Sequence, residues 1–303
     1  MSLVEKFVSE TETRPTIIDW QNLLKQIIAG YQEFRGIAHG LQKDGIQNGW
    51  DARKYKKGTG WGFAFELIEG ENNTFLTMTD KVTTGLTGRV LTEDEMQSDL
   101  SENERWARFE SLAFLKEPTG ATLGARGRGK FVFVGSSRQH TILYDSLRED
   151  GTYRFGLRFV KKTSSRVAAF DVESGKSKLV EMTRGAMKPL TEAGTRVIIV
   201  DPIDEVVEAL RDGSFLRFIG ETWWEIIQKY SAQIAVGLNG HVQMAMPPPE
   251  FKFPNADSKK YRVWIRENKK ITAAGREFKI KKLHIASNQE EPVPEDIKGI
   301  SIQ

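Results

Sequence analysis

Residues 41–53 read LQKDGIQNGWDAR. On a helix of 3.6 residues per turn, Asp44, Asn48 and Asp51 fall on one face. One carboxylate, one amide and a second carboxylate therefore point the same way. Gly45 and Gly49 each cost a helix interior about 1 kcal/mol relative to alanine. A solvated polar face gains nothing from them, so they mark a helix that something approaches closely. Ile46 and Trp50 then face the core on the other side.

Three further stretches carry residues with chemical potential. In LTMTDKVTTGL (76–86), Asp80 ends a β-rich run and Gly85 follows in a Thr-rich turn. A carboxylate there can accept a hydrogen bond from a ligand amino group, although Asp and Gly are also ordinary turn residues. In TLGARGRGKF (122–131), Gly124, Gly127 and Gly129 form a loop whose N–H groups can cradle phosphate, with Lys130 adding a charge. Gly124 to Lys130 matches the start of a P-loop, but Phe131 stands where that motif needs Ser or Thr. A basic loop that touches nucleic acid is the other reading. In AGTRVIIVDP (193–202), Thr195 follows Gly194 at the entrance to a buried β-run.

The elements that must position these residues follow from periodicity. IIDWQNLLKQIIAGYQEFR (17–35) has the stripe of an amphipathic helix, and a second helix covers roughly 37–55. WGFAFELIEG and NTFLTMTD read as a hairpin. Residues 81–129 are rich in Thr, Gly and charge, with one helix-like patch at 103–117; a connection this long is usually functional, here a lid. KFVFVGSS is β-branched and aromatic, which favours a strand. Strands are expected at 140–147, 152–162, 166–172 and 194–202. Pro202 and the acidic DEVVEALRDG mark a domain boundary. Beyond it a helix is expected at 215–230, then a hairpin turning on Asn239-Gly240 and two more strands. The fold class is α/β, as an α+β two-layer sandwich: one unit over 1–202 and a second over 203–303.

Bulk composition narrows the chemistry. The 303 residues contain no cysteine, which excludes disulfides, thiolate catalysis and zinc–thiolate sites. His39, His140, His241 and His284 have no helical ligand spacing. A net charge of +3 is too balanced to demand a polyanionic partner by itself. MSLVEKFVSETETRP has no apolar signal-peptide core and no run approaches a membrane span, so a cytoplasmic location is expected. The strand-like KGISIQ at the end reads as part of something longer.

Taken together and in order, the four stretches resemble the ATP-binding motifs of the GHKL superfamily, which includes gyrase B, Hsp90, MutL and histidine kinases, and come nearest to its Hsp90, MutL and MORC branches. The family's E-x-x-x-N-x-x-D-A is similar to residues 44–52, with Asn48, Asp51 and Ala52 matching and Asp44 replacing Glu. Its D-x-G-x-G turn resembles Asp80…Gly85, one residue longer. Its G-x-x-G-x-G resembles Gly124, Gly127 and Gly129, and its late G-T resembles Gly194-Thr195. The resemblance spans roughly residues 20–202.

It implies a Bergerat-type ATP-binding domain with helices over a mixed sheet, then a transducer-like α/β domain over 203–303. Asn48 would hold Mg²⁺ bridging the phosphates, and Asp44 would orient or deprotonate the attacking water. Asp80 would accept the adenine amino group, and Gly85 would leave room for the ring. Gly124, Gly127 and Gly129 would wrap the triphosphate with help from Lys130. Thr195 would hydrogen-bond beside Asp80, and Asp51 and Ala52 complete the motif, Asp51 with a structural role. A transducer cation, with Lys229, Lys281 and Lys282 as candidates, would reach the γ-phosphate. The implied cofactors are ATP and Mg²⁺, and the implied activity is slow hydrolysis that drives closure of a lid over about 84–129 and homodimerisation, with DNA or a client protein as further partner. A non-hydrolysing nucleotide-gated module, and a nucleic-acid-binding protein using GARGRGK without ATP, stand as the alternatives. In relatives a helix, not a strand, follows the glycine-rich loop.

Overall fold

A computed structural model describes residues 18–33, 35–55, 58, 60–70, 73–92, 95, 101, 103–111 and 129–247, together with the backbone of 261–273 and 276–288. The chain opens with α1 (Trp20–Gln32) and α2 (Ile37–Asp51). The hairpin β1 (Gly62–Glu69) and β2 (Thr74–Lys81) follows, then the short helices α3 (Arg105–Glu110) and α4 (Gly129–Gly135). Next come β3 (Thr141–Leu147), β4 (Tyr153–Lys161), β5 (Ser164–Phe170), α5 (Val172–Met182) and β6 (Gly194–Val200). The body closes with α6 (Asp204–Arg211), α7 (Ser214–Tyr230), β7 (Gln233–Leu238) and β8 (His241–Met244). A separate two-stranded sheet holds β9 (Tyr261–Ala273) and β10 (Arg276–Asn288).

The main sheet has eight strands in the order β5-β4-β3-β6-β2-β1-β7-β8. Every neighbouring pair is antiparallel except β1 and β7, which run parallel from Gly62↔Gln233 to Leu67↔Leu238. Alternation along the strands sends Phe63, Phe65, Leu67, Leu76, Met78, Ile142, Tyr144, Val197 and Ile199 to one face, where they meet the helices. The opposite residues Phe75, Leu143, Phe155 and Ile198 meet Leu179 of α5 and Met187 in a second, smaller core. The sheet is therefore covered on both faces, with α5 forming a partial third layer where two layers were expected.

Two expectations from sequence are revised. The run KFVFVG is a helix, not a strand. Phe131, Val132, Phe133 and Val134 are all buried, because α4 is wedged between α1, α2 and the sheet. A helix buried all round shows no polar stripe, so an apolar run this short cannot be told from a strand by period. The boundary expected after Pro202 also moves. Residues 203–247 continue the same sheet through β7 and the same core through Val206, Leu210, Phe215, Ile219 and Trp223. The parallel β1–β7 pairing joins residues about 170 apart, which no local pattern reports.

The acidic start of α6 explains part of this integration. Gly36, at the N-cap of α2, offers no side-chain acceptor. Glu205 Oε1 instead accepts from the N–H groups of Ile37 at 2.5 Å and Ala38 at 3.2 Å. The donors left over at the start of α2 are thus met by a carboxylate from the segment expected to begin a second unit.

Candidate functional site

The two helical glycines of the opening motif face the sheet. A Cβ at Gly45 would lie 3.2 Å from Met78 Sδ, and one at Gly49 would lie 2.8 Å from two ring carbons of Phe63 and 3.2 Å from Asp80 Cβ. The element that approaches α2 closely is the β1–β2 hairpin. Trp50 packs edge-on against Trp61, whose indole N–H donates to Gly49 O at 3.0 Å. The glycines therefore set the distance between the Asn48-bearing helix and the strand that ends at Asp80.

Asp80 sits on the helix face of the sheet and is 8 % exposed. Its Oδ1 accepts from Thr83 Oγ1 at 2.6 Å and from the Thr195 N–H at 2.8 Å. Both bonds fall on one oxygen, which leaves Oδ2 for another donor. Burial pushes the carboxyl up to about 6, against the pull of those two donors and, through space, of Arg105. Arg105 itself donates to Thr84 Oγ1 at 2.5 Å. Gly194 lets β6 pass close by: a Cβ there would come 2.3 Å from Asp80 O. The late Gly-Thr pair and the strand-end acid thus form one constellation.

Ser146 of β3 belongs to the same cluster. Its hydroxyl accepts from Leu86 N–H at 2.8 Å, donates to Gly194 O at 3.0 Å and lies 3.5 Å from Thr195 Oγ1. Nothing local in TILYDSL singles out this serine, and neither Thr83 nor Ser146 was anticipated. Gly85 has φ 67° and turns its Cβ side toward Ser146 Oγ and Leu147 O, each 2.9 Å from a built Cβ. The space that glycine leaves is filled by β3, so its place here is explained by packing, not by room for a flat ring.

Midway along α2, Asp44 Oδ2 accepts from Tyr31 Oη of α1 at 2.5 Å. Burial raises the Asp44 pKa, and the Tyr31 hydroxyl and Lys43 oppose the shift. Tyr31 reaches it by lying over Gly40, where a Cβ would collide with the ring at 2.2 Å. Gly129, which opens α4, rests on the same carboxylate: a Cβ there would be 3.2 Å from Asp44 Cγ and Oδ2. Asn48, one turn beyond Asp44 on α2, is exposed. Asp51 closes α2 half-buried, and the N–H of Ala52, the C-cap, donates to Asn48 O at 3.1 Å. Beside them the Arg53 guanidinium donates to Trp50 O at 2.7 Å and lies 4.3 Å from the Trp50 ring centroid.

Gly124 and Gly127 lie outside the described residues. Lys130 is described, and its position differs from the expected one. Its ammonium is buried and donates to the carbonyl oxygens of Arg108 and Ser111, at the end of α3. Burial, with Arg158 and Arg108 nearby, lowers its pKa to about 7. The described parts of the expected lid, 84–92 and 103–111, are likewise bound to the body. Arg148 donates to Leu86 O and Gly88 O, Trp106 N–H donates to Thr87 O, and Tyr144 and Arg158 hold Glu110. Residues 93–94, 96–100, 102 and 112–128 of that span lie outside the described residues. Lys229, a transducer candidate, pairs with Glu225 at 3.5 Å on exposed α7 surface.

Among the described residues no group of three or more His, Asp or Glu side chains converges as a metal site. A cation held here would rest on the Asn48 amide and on oxygens supplied by a ligand. An open groove lined by Val90, Arg154, Ala169, Phe170, Asp171 and Ser174 shares none of the candidate residues. No described helix is long and apolar enough to cross a membrane. In comparisons with known proteins, no family model and no curated protein matches the chain.

Proposed function

We propose that this protein binds ATP with Mg²⁺ through a Bergerat-type site of the GHKL kind, in the cytoplasm, and hydrolyses it slowly. The observation that carries the reading is Asp80. A carboxylate is buried at a strand end, against the helix that bears Asn48, with one oxygen fixed by Thr83 and Thr195 and the other left over. Burying an acid in this way without a bonded cation is unfavourable. Such groups collect where chemistry or recognition needs them. An adenine amino group donating to Oδ2 supplies the missing partner.

The remaining residues take roles along α2. Asn48, exposed one turn beyond Asp44, offers its amide oxygen to the cation that neutralises the phosphates. Asp44, with its pKa raised by burial, is the base for the attacking water. Tyr31 holds one of its oxygens and leaves the other for that water. Gly129 brings the end of the glycine-rich loop against Asp44, so Gly124 and Gly127 stand only a few residues along the chain from the phosphates. The helix at 129–135 and the Gly194-Thr195 contact with Asp80 both support the resemblance. Homodimerisation on nucleotide binding remains part of the proposal. The transducer role falls to residues beyond the eight-stranded body.

Titration calorimetry with a non-hydrolysable ATP analogue and Mg²⁺ tests binding. Asn48→Ala is expected to abolish it; unchanged affinity removes Asn48 from the site. Phosphate release separates hydrolysis from a nucleotide-gated module. Asp44→Asn is expected to keep affinity and stop turnover, and an unaltered rate takes Asp44 out of the reaction.

A further inference from the structure

The chain holds two Asn-Gly pairs, Asn48-Gly49 and Asn239-Gly240. An asparagine before glycine is prone to a reaction of its own, because the glycine nitrogen, with no Cβ beside it, can reach the asparagine Cγ. The fold puts the two pairs in opposite settings. Asn48-Gly49 lies inside α2, where Gly49 is buried against Phe63 and its N–H belongs to the helical ladder. Asn239-Gly240 is the two-residue turn between β7 and β8, with both residues exposed and φ of 47° and 85°. A Cβ built on Gly240 would meet nothing within 4 Å, so water and base reach this turn.

The Asn239 side chain is held at both atoms of its amide. Leu67↔Leu238 is the last pair of the parallel β1–β7 ladder, and the Asn239 N–H still donates to Leu67 O at 3.0 Å. One step further the side chain takes over. Its Oδ1 accepts from the Glu69 N–H at 3.1 Å, and its Nδ2 donates to Glu69 Oε2 at 2.9 Å. An N–H needs the amide oxygen and a carboxylate needs the amide nitrogen, so the two contacts fix which way the amide points. Glu69 Oε1 accepts in turn from Arg211 at the end of α6. The Asn239 amide first, and then Arg211, hold the Glu69 carboxyl below the ordinary glutamate range, so it stays an ionised acceptor.

We propose that Asn239 is a deamidation site, held in check by Glu69, whose conversion loosens the β7–β8 hairpin. A bond forms between Gly240 N and Asn239 Cγ, and the Cγ–Nδ2 bond breaks. Nδ2 leaves as ammonia, with the proton that Gly240 N gives up. Water then opens the five-membered imide at either carbonyl and leaves aspartate or isoaspartate at position 239. The side chain must swing off Glu69 before this can start, so the folded hairpin reacts slowly. The product carries a carboxylate where Nδ2 stood, 2.9 Å from Glu69 Oε2. Two like charges repel there. Isoaspartate also adds a carbon to the main chain of a turn that has no spare residue. Among the described residues β8 pairs with β7 alone, so this turn sets its register.

The test incubates the full chain at mildly alkaline pH and follows both Asn-Gly sites by peptide mass spectrometry, with isoaspartyl methyltransferase labelling for the branched product. Conversion is expected at 239 and not at 48, and in denaturant both sites are expected to convert alike. Glu69→Ala is expected to convert position 239 about fivefold faster, the factor that one ordinary hydrogen bond is worth. Glu69→Gln keeps an oxygen for Nδ2 and is expected to convert at the parent's rate. Asn239→Asp stands in for the product. In that variant the Ala245 N–H, which donates to Ile234 O at 2.8 Å, is expected to exchange with deuterium faster than in the parent. No conversion at 239, equal conversion at 48 in the folded chain, or a Glu69→Ala rate at or below the parent's overturns the site and its restraint. Unchanged exchange at Ala245 overturns the loosening. None of these readouts involves nucleotide, so the inference stands or falls apart from the ATP site.

Discussion

Asp80 and Asp145 are buried carboxylates on opposite faces of one sheet. Asp145 is fully buried and is met by Arg196 through two bonds, Nε to Oδ1 at 2.9 Å and Nη2 to Oδ2 at 2.8 Å, with Tyr153 Oη adding a third at 3.1 Å. Asp80 is met by a hydroxyl and an amide, both on Oδ1. Burial raises both pKa values. At Asp145 a guanidinium fork opposes that penalty and both oxygens are filled, so the group is finished as structure. At Asp80 the penalty is left standing and one oxygen is open. A buried acid with a complete set of partners holds the fold; one with an incomplete set is poised for a ligand.

The largest expected effect falls on the completed pair. Arg196→Met leaves Asp145 buried without its cation, and loss of one partner from such a pair costs about 3–5 kcal/mol. Denaturant melts are expected to show that loss, while nucleotide affinity of the surviving folded protein stays the same. A loss below about 1 kcal/mol would erase the contrast between the two acids.

Next comes Asp80→Asn, with the opposite sign. Asparagine keeps an oxygen for Thr83 and the Thr195 N–H and removes the buried charge. A folded pKa of about 6 against an ordinary 3.8 corresponds to a penalty of about 3 kcal/mol at pH 7. The variant is expected to melt higher than the parent and to bind no nucleotide. A variant that melts lower would mean the ionised form holds the fold.

The same comparison sharpens with pH. The folded pKa of Asp80 is raised, so its contribution to stability is full below about 4 and is lost as pH rises through about 6. The difference in unfolding free energy between parent and Asp80→Asn is expected to widen across that window. Nucleotide affinity of the parent should run the other way and fall as pH drops through about 6. A difference independent of pH between about 4 and 7 contradicts the assignment of that titration to Asp80.

The smallest effect is expected at a distance from both acids. Glu205→Ala removes the acceptor for the Ile37 and Ala38 N–H groups and should destabilise by about 1 kcal/mol, as loss of a helix cap does. Nucleotide affinity is expected to weaken only slightly, because α2 is also held by Gly45 and Gly49 against the hairpin.

Much of the fold is legible in the sequence where pattern is local. The stripe of α1, the β1–β2 hairpin and the Asn239-Gly240 turn, with φ 47° and 85°, follow from spacing and from residue type. The helix α4 was hidden because its neighbours bury every side, which erases the period. The parallel β1–β7 ladder was hidden because parallel partners are distant in sequence, so Pro202 looked like a boundary. At the candidate site, Asp44, Asn48 and Asp80 stand out as acids and an amide among glycines. Ser146 does not, since a serine inside a buried strand acquires its role only when β6 and residue 86 arrive beside it. Lys130 misled in the other direction: a lysine after three glycines suggests phosphate, and the fold instead turns it onto the end of α3.

The most direct measurement of the central claim is calorimetric titration of a non-hydrolysable ATP analogue with Mg²⁺ into the parent protein and Asp80→Asn, about one and a half pH units above the Asp80 pKa of about 6. Saturable binding of one nucleotide per chain in the parent, and none in the better-folded variant, is the expected result. Equal binding in both, or no binding in the parent, would contradict the view that the open oxygen of Asp80 receives an adenine.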